Sequence, residues 1–180
     1  MHALQIAIAI AWLAFWVGWL TAAFGAKKGR GGRRQIPLRG LSALALILLL
    51  RVFRGGSLEV QSLVLGVIGV AVFTTGIGVA VWARIYLGRN WGMPTTQKED
   101  PELVTSGPYR FVRHPIYTGI LLGVLGTALA TNLIGLLIVG VLGAYFYYSA
   151  SVEEKNLTAT FPTAYPAYRS HTKMLIPFVL

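Results

Sequence analysis

Apolar residues along this chain come in blocks of bilayer length, separated by shorter polar or basic stretches. From Met1 to Ala26 the only side chain that can carry charge is that of His2. Further blocks run over residues 37–53, 60–83, 115–131 and 133–150. At a helical rise of about 1.5 Å per residue, each is long enough, or nearly so, to cross a hydrocarbon core of about 30 Å. The block at 37–53 is the weakest, because Arg39 and Arg51 bracket it. It either crosses with both arginines snorkelling to the interfaces or enters and returns on one side. Thr131-Asn132 is a tight join, so the last two blocks form a helical hairpin. Residues 88–112 make a long polar connection, broken by Asn90, Gly92, Pro94, Pro101 and Gly107-Pro108. A connection of that length is more often functional than idle. The pattern predicts an all-α, polytopic membrane helix bundle of about five transmembrane helices.

Composition agrees. Of 180 residues, 55% are hydrophobic and 12% charged, with a mean hydropathy of +0.63. That leaves too little charge for the surface of a soluble domain. With five crossings and the N-terminus outside, 14 of the 16 Lys and Arg fall on the inner side, Arg51 and Arg54 being the exceptions. The positive-inside rule therefore predicts an outside N-terminus and a cytoplasmic C-terminus, in the inner or plasma membrane if the source is bacterial. The first block does not read as a cleaved signal peptide, since its basic residues follow the apolar run and the run is too long.

The net charge of +10 needs no nucleic acid. Lys27, Lys28, Arg30, Arg33 and Arg34 sit among glycines as a basic loop that anchors on anionic head groups. The interleaved aromatics of a nucleic-acid face are missing. Zero cysteines exclude disulfides, a cysteine nucleophile and thiolate metal sites. His2, His114 and His171 have no ligand spacing, so no metal site is expected.

The chain reads as one membrane domain with two halves. Residues 1–85 are apolar helices with packing signals. Trp12, Trp16 and Trp19 share a face of the first block, and Gly66, Gly69, Gly76 and Gly78 dot the third, where small residues let backbones approach. No internal repeat supports a transporter. Residues 86–180 carry the chemistry. Pro115 suits the first turn of a helix, which puts His114 near its N-cap. The free N–H groups of Ile116, Tyr117 and Thr118 would then face the inner mouth, a place suited to an amino-acid carboxylate. Arg110 and Arg113 either add charge-assisted bonds to that carboxylate or grip lipid phosphates. Tyr117 follows His114 on nearly the same helix face. Gly119 and Gly123 form a Gly-x-x-x-Gly pair, which ordinarily means helix packing but at Gly119 also admits a ligand close to the backbone. Glu153-Glu154 closes the last apolar block, where carboxylates oppose the helix dipole and call for a cationic partner. Which of the two points inward stays open in the sequence, with Glu153 preferred. Tyr145, Tyr147 and Tyr148 either line the site or form an interfacial belt.

Ser106-Gly-Pro-Tyr-Arg-Phe-Val-Arg-His-Pro-Ile-Tyr-Thr-Gly119, followed about forty residues later by Glu153-Glu154, resembles the integral-membrane methyltransferases. These include the isoprenylcysteine carboxyl methyltransferases and the phospholipid N-methyltransferases. The resemblance runs over roughly residues 86 to 177, taking in Leu87-Gly-Arg-Asn-Trp91 upstream and Leu157, Phe161, Tyr165, Tyr168 and Thr172-Lys-Met-Leu-Ile-Pro177 downstream. It implies S-adenosylmethionine as cofactor, bound by Tyr109, Arg110, Arg113, His114, Pro115, Tyr117, Gly119, Glu153 and Glu154. It also implies methyl transfer at the cytoplasmic face to a lipophilic or small acceptor carrying a carboxylate, amine or thiol. Such a transfer needs alignment and exclusion of water more than a general base. Glu153 and Glu154 are the candidates if any residue acts in the chemistry. Many relatives carry an arginine where this chain has His171, and Arg169 is the candidate substitute. The competing readings are an NADPH-dependent sterol-type membrane reductase, whose corresponding element is more basic than Glu-Glu, and a non-enzymatic membrane scaffold.

Overall fold

The computed structural model describes residues 2–23, 29–30, 58–91, 97–98, 102–177 and 179. The apolar block at 37–53 and most of the basic loop, including Lys27, Lys28, Arg33 and Arg34, lie outside those residues. Helix α1 spans His2–Ala23, α2 Leu63–Leu87, α3 Pro115–Ala130, α4 Gly135–Thr160 and α5 Ala164–His171. Two-residue strands, β1 (Gly29–Arg30) and β2 (Gln97–Lys98), pair antiparallel, with Gly29 opposite Lys98. Helices α1, α2 and α4 are long and apolar enough to cross a membrane. Helix α3, at 16 residues, is shorter.

Three of the helices have a local cause for where they begin or end. Ser62 caps α2 by accepting from the Leu65 N–H at 3.4 Å, as N-terminal serines commonly do. Pro115 opens α3 in the first turn, where it forfeits no hydrogen bond. Helix α4 continues beyond the apolar block that Glu153-Glu154 closes and runs to Thr160, where Phe161 and Pro162 stop it. The polar residues after Ala150 change what the helix faces and leave its hydrogen bonding intact.

Helices α2 and α3 form the antiparallel centre of the bundle. A Cβ at Gly119 would lie 2.6 Å from Gly76 O and Ala80 N, and one at Gly126 would lie 2.6 Å from Gly69 O. These backbones touch because glycine carries nothing between them. Helix α1 packs over this pair with Ile8, Trp12, Phe15 and Trp19, all buried. Trp12 is fixed by a buried bond from Nε1 to Thr127 Oγ1 at 2.9 Å. Trp16 leaves the expected tryptophan stripe: it is 40% exposed, though its ring still stacks on Trp12.

Both ends of the bundle are pinned. At the distal end, the turn between α3 and α4 pairs with the chain leading into α2. Val60 N donates to Thr131 O at 2.9 Å and Leu133 N to Leu58 O at 3.0 Å. Gln5 of α1 reaches the same place, its Nε2 donating to Glu59 Oε1 at 3.0 Å. At the proximal end, Arg84 Nη2 donates to Ala22 O at 2.8 Å and Nη1 to Gly88 O at 2.7 Å, with the guanidinium 4.8 Å over the Trp91 ring. Helices α1 and α2 therefore run parallel, and the start of α3 lies at the proximal end with their C-termini.

Candidate functional site

The site forms where the start of α3 meets the later turns of α4. A 3-10 turn, Gly107–Arg110, leads into it. Gly107 is required there twice over: its φ is +60°, and the ring of Tyr86 occupies the space a Cβ would take. After this turn residues 112–114 run beside the C-terminal segment. Arg113 N donates to Lys173 O at 2.8 Å, His114 N to Met174 O at 3.0 Å, and Thr118 Oγ1 to Leu175 O at 2.6 Å. Residues 172–175 thus strap the entry to α3. The Thr118 N–H, expected to face the mouth, is already bonded to His114 O at 3.2 Å in the first helical turn.

Two carboxylates on α4 reach this turn. Glu153 Oε1 accepts from the Tyr117 hydroxyl at 2.6 Å, and its Oε2 lies 3.5 Å from His114 Nδ1. Glu154 Oε1 accepts from Arg113 Nε at 2.7 Å and lies 3.5 Å from His114 Nε2, while Oε2 lies 3.5 Å from Arg169 Nε. Arg113 Nη1 also donates to Thr172 O. His114 sits between the two acids. Burial works against its charged form, but both neighbouring carboxylates outweigh burial and hold its pKa above the ordinary histidine value.

The two glutamates differ in surroundings. The side chain of Glu154 is 5% exposed and that of Glu153 27%. Glu154 is the buried one and Glu153 the more exposed, and both reach His114. The reason is helical phase. Phe146, Ala150 and Glu154 follow one another at four-residue steps on the buried side of α4. Phe146 was absent from the sequence reading, although that spacing marks it. Its ring stacks on Tyr117 with centroids 4.5 Å apart, and Tyr117 in turn stacks on His114 at 5.5 Å. Tyr147 and Tyr148 are exposed and stay outside this stack.

The other expected residues divide. Pro115 is buried at the first turn of α3. Tyr109 is buried below the turn, its carbonyl accepting from the Tyr168 hydroxyl at 2.5 Å. Burial pushes the Tyr168 hydroxyl up to about 12, so it remains a donor. Arg110 turns away onto the Phe111 ring at 4.5 Å and joins neither carboxylate. Gly119 is taken up by the contact with α2, so the close approach it permits is that of a helix. His171 folds back on its own helix, Nδ1 lying 2.9 Å from Ala167 O. Arg169, the expected substitute, is the residue that comes to Glu154.

The family model described as phospholipid methyltransferase matches residues 64–164. The cobalt-zinc-cadmium resistance protein CzcN of Cupriavidus metallidurans is 32% identical over 117 residues, 64% of this chain and 49% of that protein. The protein-S-isoprenylcysteine O-methyltransferase of Schizosaccharomyces pombe is 35% identical over 101 residues, 54% of this chain and 43% of that one. Among solved structures, the eukaryotic intramembrane Ras methyltransferase ICMT (isoprenylcysteine carboxyl methyltransferase) has a similar fold. Its TM-score is 0.63 at 24% identity, covering 81% of this chain and 54% of that one. The chain spans about half the length of the curated relatives it matches.

Proposed function

The chain belongs to the phospholipid methyltransferase family, and from that membership we propose that it transfers a methyl group from S-adenosylmethionine to a lipophilic or small acceptor. The acceptor atom belongs to a carboxylate, amine or thiol, and the transfer takes place at the cytoplasmic face of the membrane. The observation that carries this reading is the convergence of Glu153 and Glu154 on the His114–Tyr117 turn, at one end of apolar helices. Polar clusters at such depth are costly and are kept for function.

The residues present fit a cationic cofactor. Glu153 accepts from Tyr117 and has 27% of its side chain exposed, so the cluster opens to its surroundings at this residue. The cofactor when bound would supply an electrophilic methyl on a sulfonium, beside an ammonium, and both charges suit carboxylates and aromatic faces. Tyr117, clamped between His114 and Phe146, fixes the direction of the Glu153 carboxylate. Glu154 positions Arg113, which in turn holds the C-terminal strap through Thr172. An ionised carboxylate or thiolate acceptor needs no base from the protein. An amine has to arrive unprotonated.

The parallel course of α1 and α2 supports a five-crossing bundle in which the block at 37–53 would be the second crossing, and the basic asymmetry of the loops supports an outside N-terminus. The cofactor then enters from the cytoplasm and the acceptor laterally from lipid, with acceptor choice written mainly in residues 1–85. Calorimetry on the purified protein in detergent tests the reading. S-adenosylmethionine and S-adenosylhomocysteine should bind and NADPH should not; binding of NADPH alone overturns it in favour of a sterol-type reductase.

A further inference from the structure

Resting on the cofactor reading above, we propose that Arg169 of α5 receives the carboxylate of the cofactor's amino-acid head group. A zwitterionic head is matched by a reachable anion for its ammonium and, a few ångströms away, by donors for its carboxylate, among which a reachable cation binds most strongly. Glu153 meets the first need, with 27% of its side chain exposed. Among the described residues three cationic side chains lie within 4 Å of the two glutamates: Arg113, His114 and Arg169. Arg113 and His114 are each 7% exposed. Arg113 is also engaged, with Nε on Glu154 and Nη1 on the Thr172 carbonyl. His114 is enclosed between both acids.

Arg169 differs from both. Its side chain is 59% exposed, and its Nε lies 3.5 Å from Glu154 Oε2. That distance is too long for a good hydrogen bond, and Glu154 is already satisfied through Oε1 by Arg113 at 2.7 Å. An exposed guanidinium in so loose a pair gains little from it. It keeps a planar fork of donors suited to a carboxylate. Helix α5 lies beyond the apolar part of α4 and carries Arg169 in its last turn. Lys155 and Lys173 are exposed, but neither comes within 4 Å of the two acids. His171 has its ring against the Ala167 carbonyl and the Ser170 hydroxyl, which leaves Arg169 as the cation that this stretch presents.

The test compares two ligands that share the nucleoside and differ in the amino-acid head. Binding of S-adenosylhomocysteine and of 5′-methylthioadenosine, which lacks that head, is measured by calorimetry for the wild-type protein, Arg169→Gln and Arg169→Lys. The expected result is that Arg169→Gln weakens S-adenosylhomocysteine about tenfold or more, the loss of one charge-assisted contact. Methylthioadenosine binding should change less than twofold, and Arg169→Lys should recover part of the affinity. Equal loss for both ligands, or no loss for either, overturns the assignment. Failure of the wild-type protein to bind either ligand overturns the cofactor reading itself, so the two failures are distinguishable.

Discussion

Removing one member of the Arg113–Glu154 pair leaves a charge stranded in a place that is 5–7% exposed. Breaking a buried ion pair in this way costs about 3–5 kcal/mol. Glu154→Ala and Arg113→Ala should therefore lower the unfolding midpoint in detergent markedly. Glu153→Gln keeps an acceptor for the Tyr117 hydroxyl at a partly exposed position, so it should leave that midpoint near wild type while weakening S-adenosylhomocysteine binding. Matching thermal losses for the neighbouring glutamates would contradict this division of roles. Residue types and motif spacing made His114, Tyr117, Arg113 and the glutamate pair legible in the sequence. They did not reveal that Arg110 turns onto Phe111 or that Phe146 completes the ring stack. Those outcomes depend on which way a side chain turns once the neighbouring elements are in place.

At the scale of elements, the contact between α2 and α3 is the tightest in the bundle and rests on glycines at fixed heights. A Cβ at Gly126 would meet Gly69 O at 2.6 Å, whereas one at Gly78 would meet nothing within 4 Å. Gly126→Ala should force the helices apart and cost about 1–3 kcal/mol, as overpacking does. Gly78→Ala in the same α2–α3 unit should be neutral or stabilising by up to about 1 kcal/mol through helix propensity. Thermal unfolding of the two variants in detergent checks the contrast, and equal effects would contradict it. The glycines of α2 were visible as a packing signal in the sequence. Which of them meet α3 was not, because spacing gives a face but no partner. The end of α4 was not legible from hydropathy for a related reason. Hydropathy falls after Ala150, but the helix persists to Thr160 because nothing before Pro162 interrupts its hydrogen bonds.

At the scale of the molecule, pinned ends define two sides. Gln61 lies at the distal end, just before α2, and Ser170 at the proximal end on α5, both exposed. Because the chain has no cysteine, single substitutions give clean labels. An impermeant maleimide applied to right-side-out membranes should label Gln61→Cys and spare Ser170→Cys until the membrane is opened. The reverse result would place the candidate site on the outer side.

The order of residues is enough to establish a helical membrane protein with its polar chemistry concentrated after residue 86. Bilayer-length apolar blocks and a motif of unusual residue types are properties of the chain read in order. Which polar groups meet is a matter of how the helices pack. Glu154 is buried on Arg113, Glu153 is bridged to Tyr117, and Arg169 approaches Glu154 while His171 turns back on its own helix. Side-chain direction on a helix and the strap across residues 113–118 are set by packing between elements distant in sequence. A one-dimensional pattern records each residue and its spacing; the groups that share a few ångströms of space are fixed only when the helices pack.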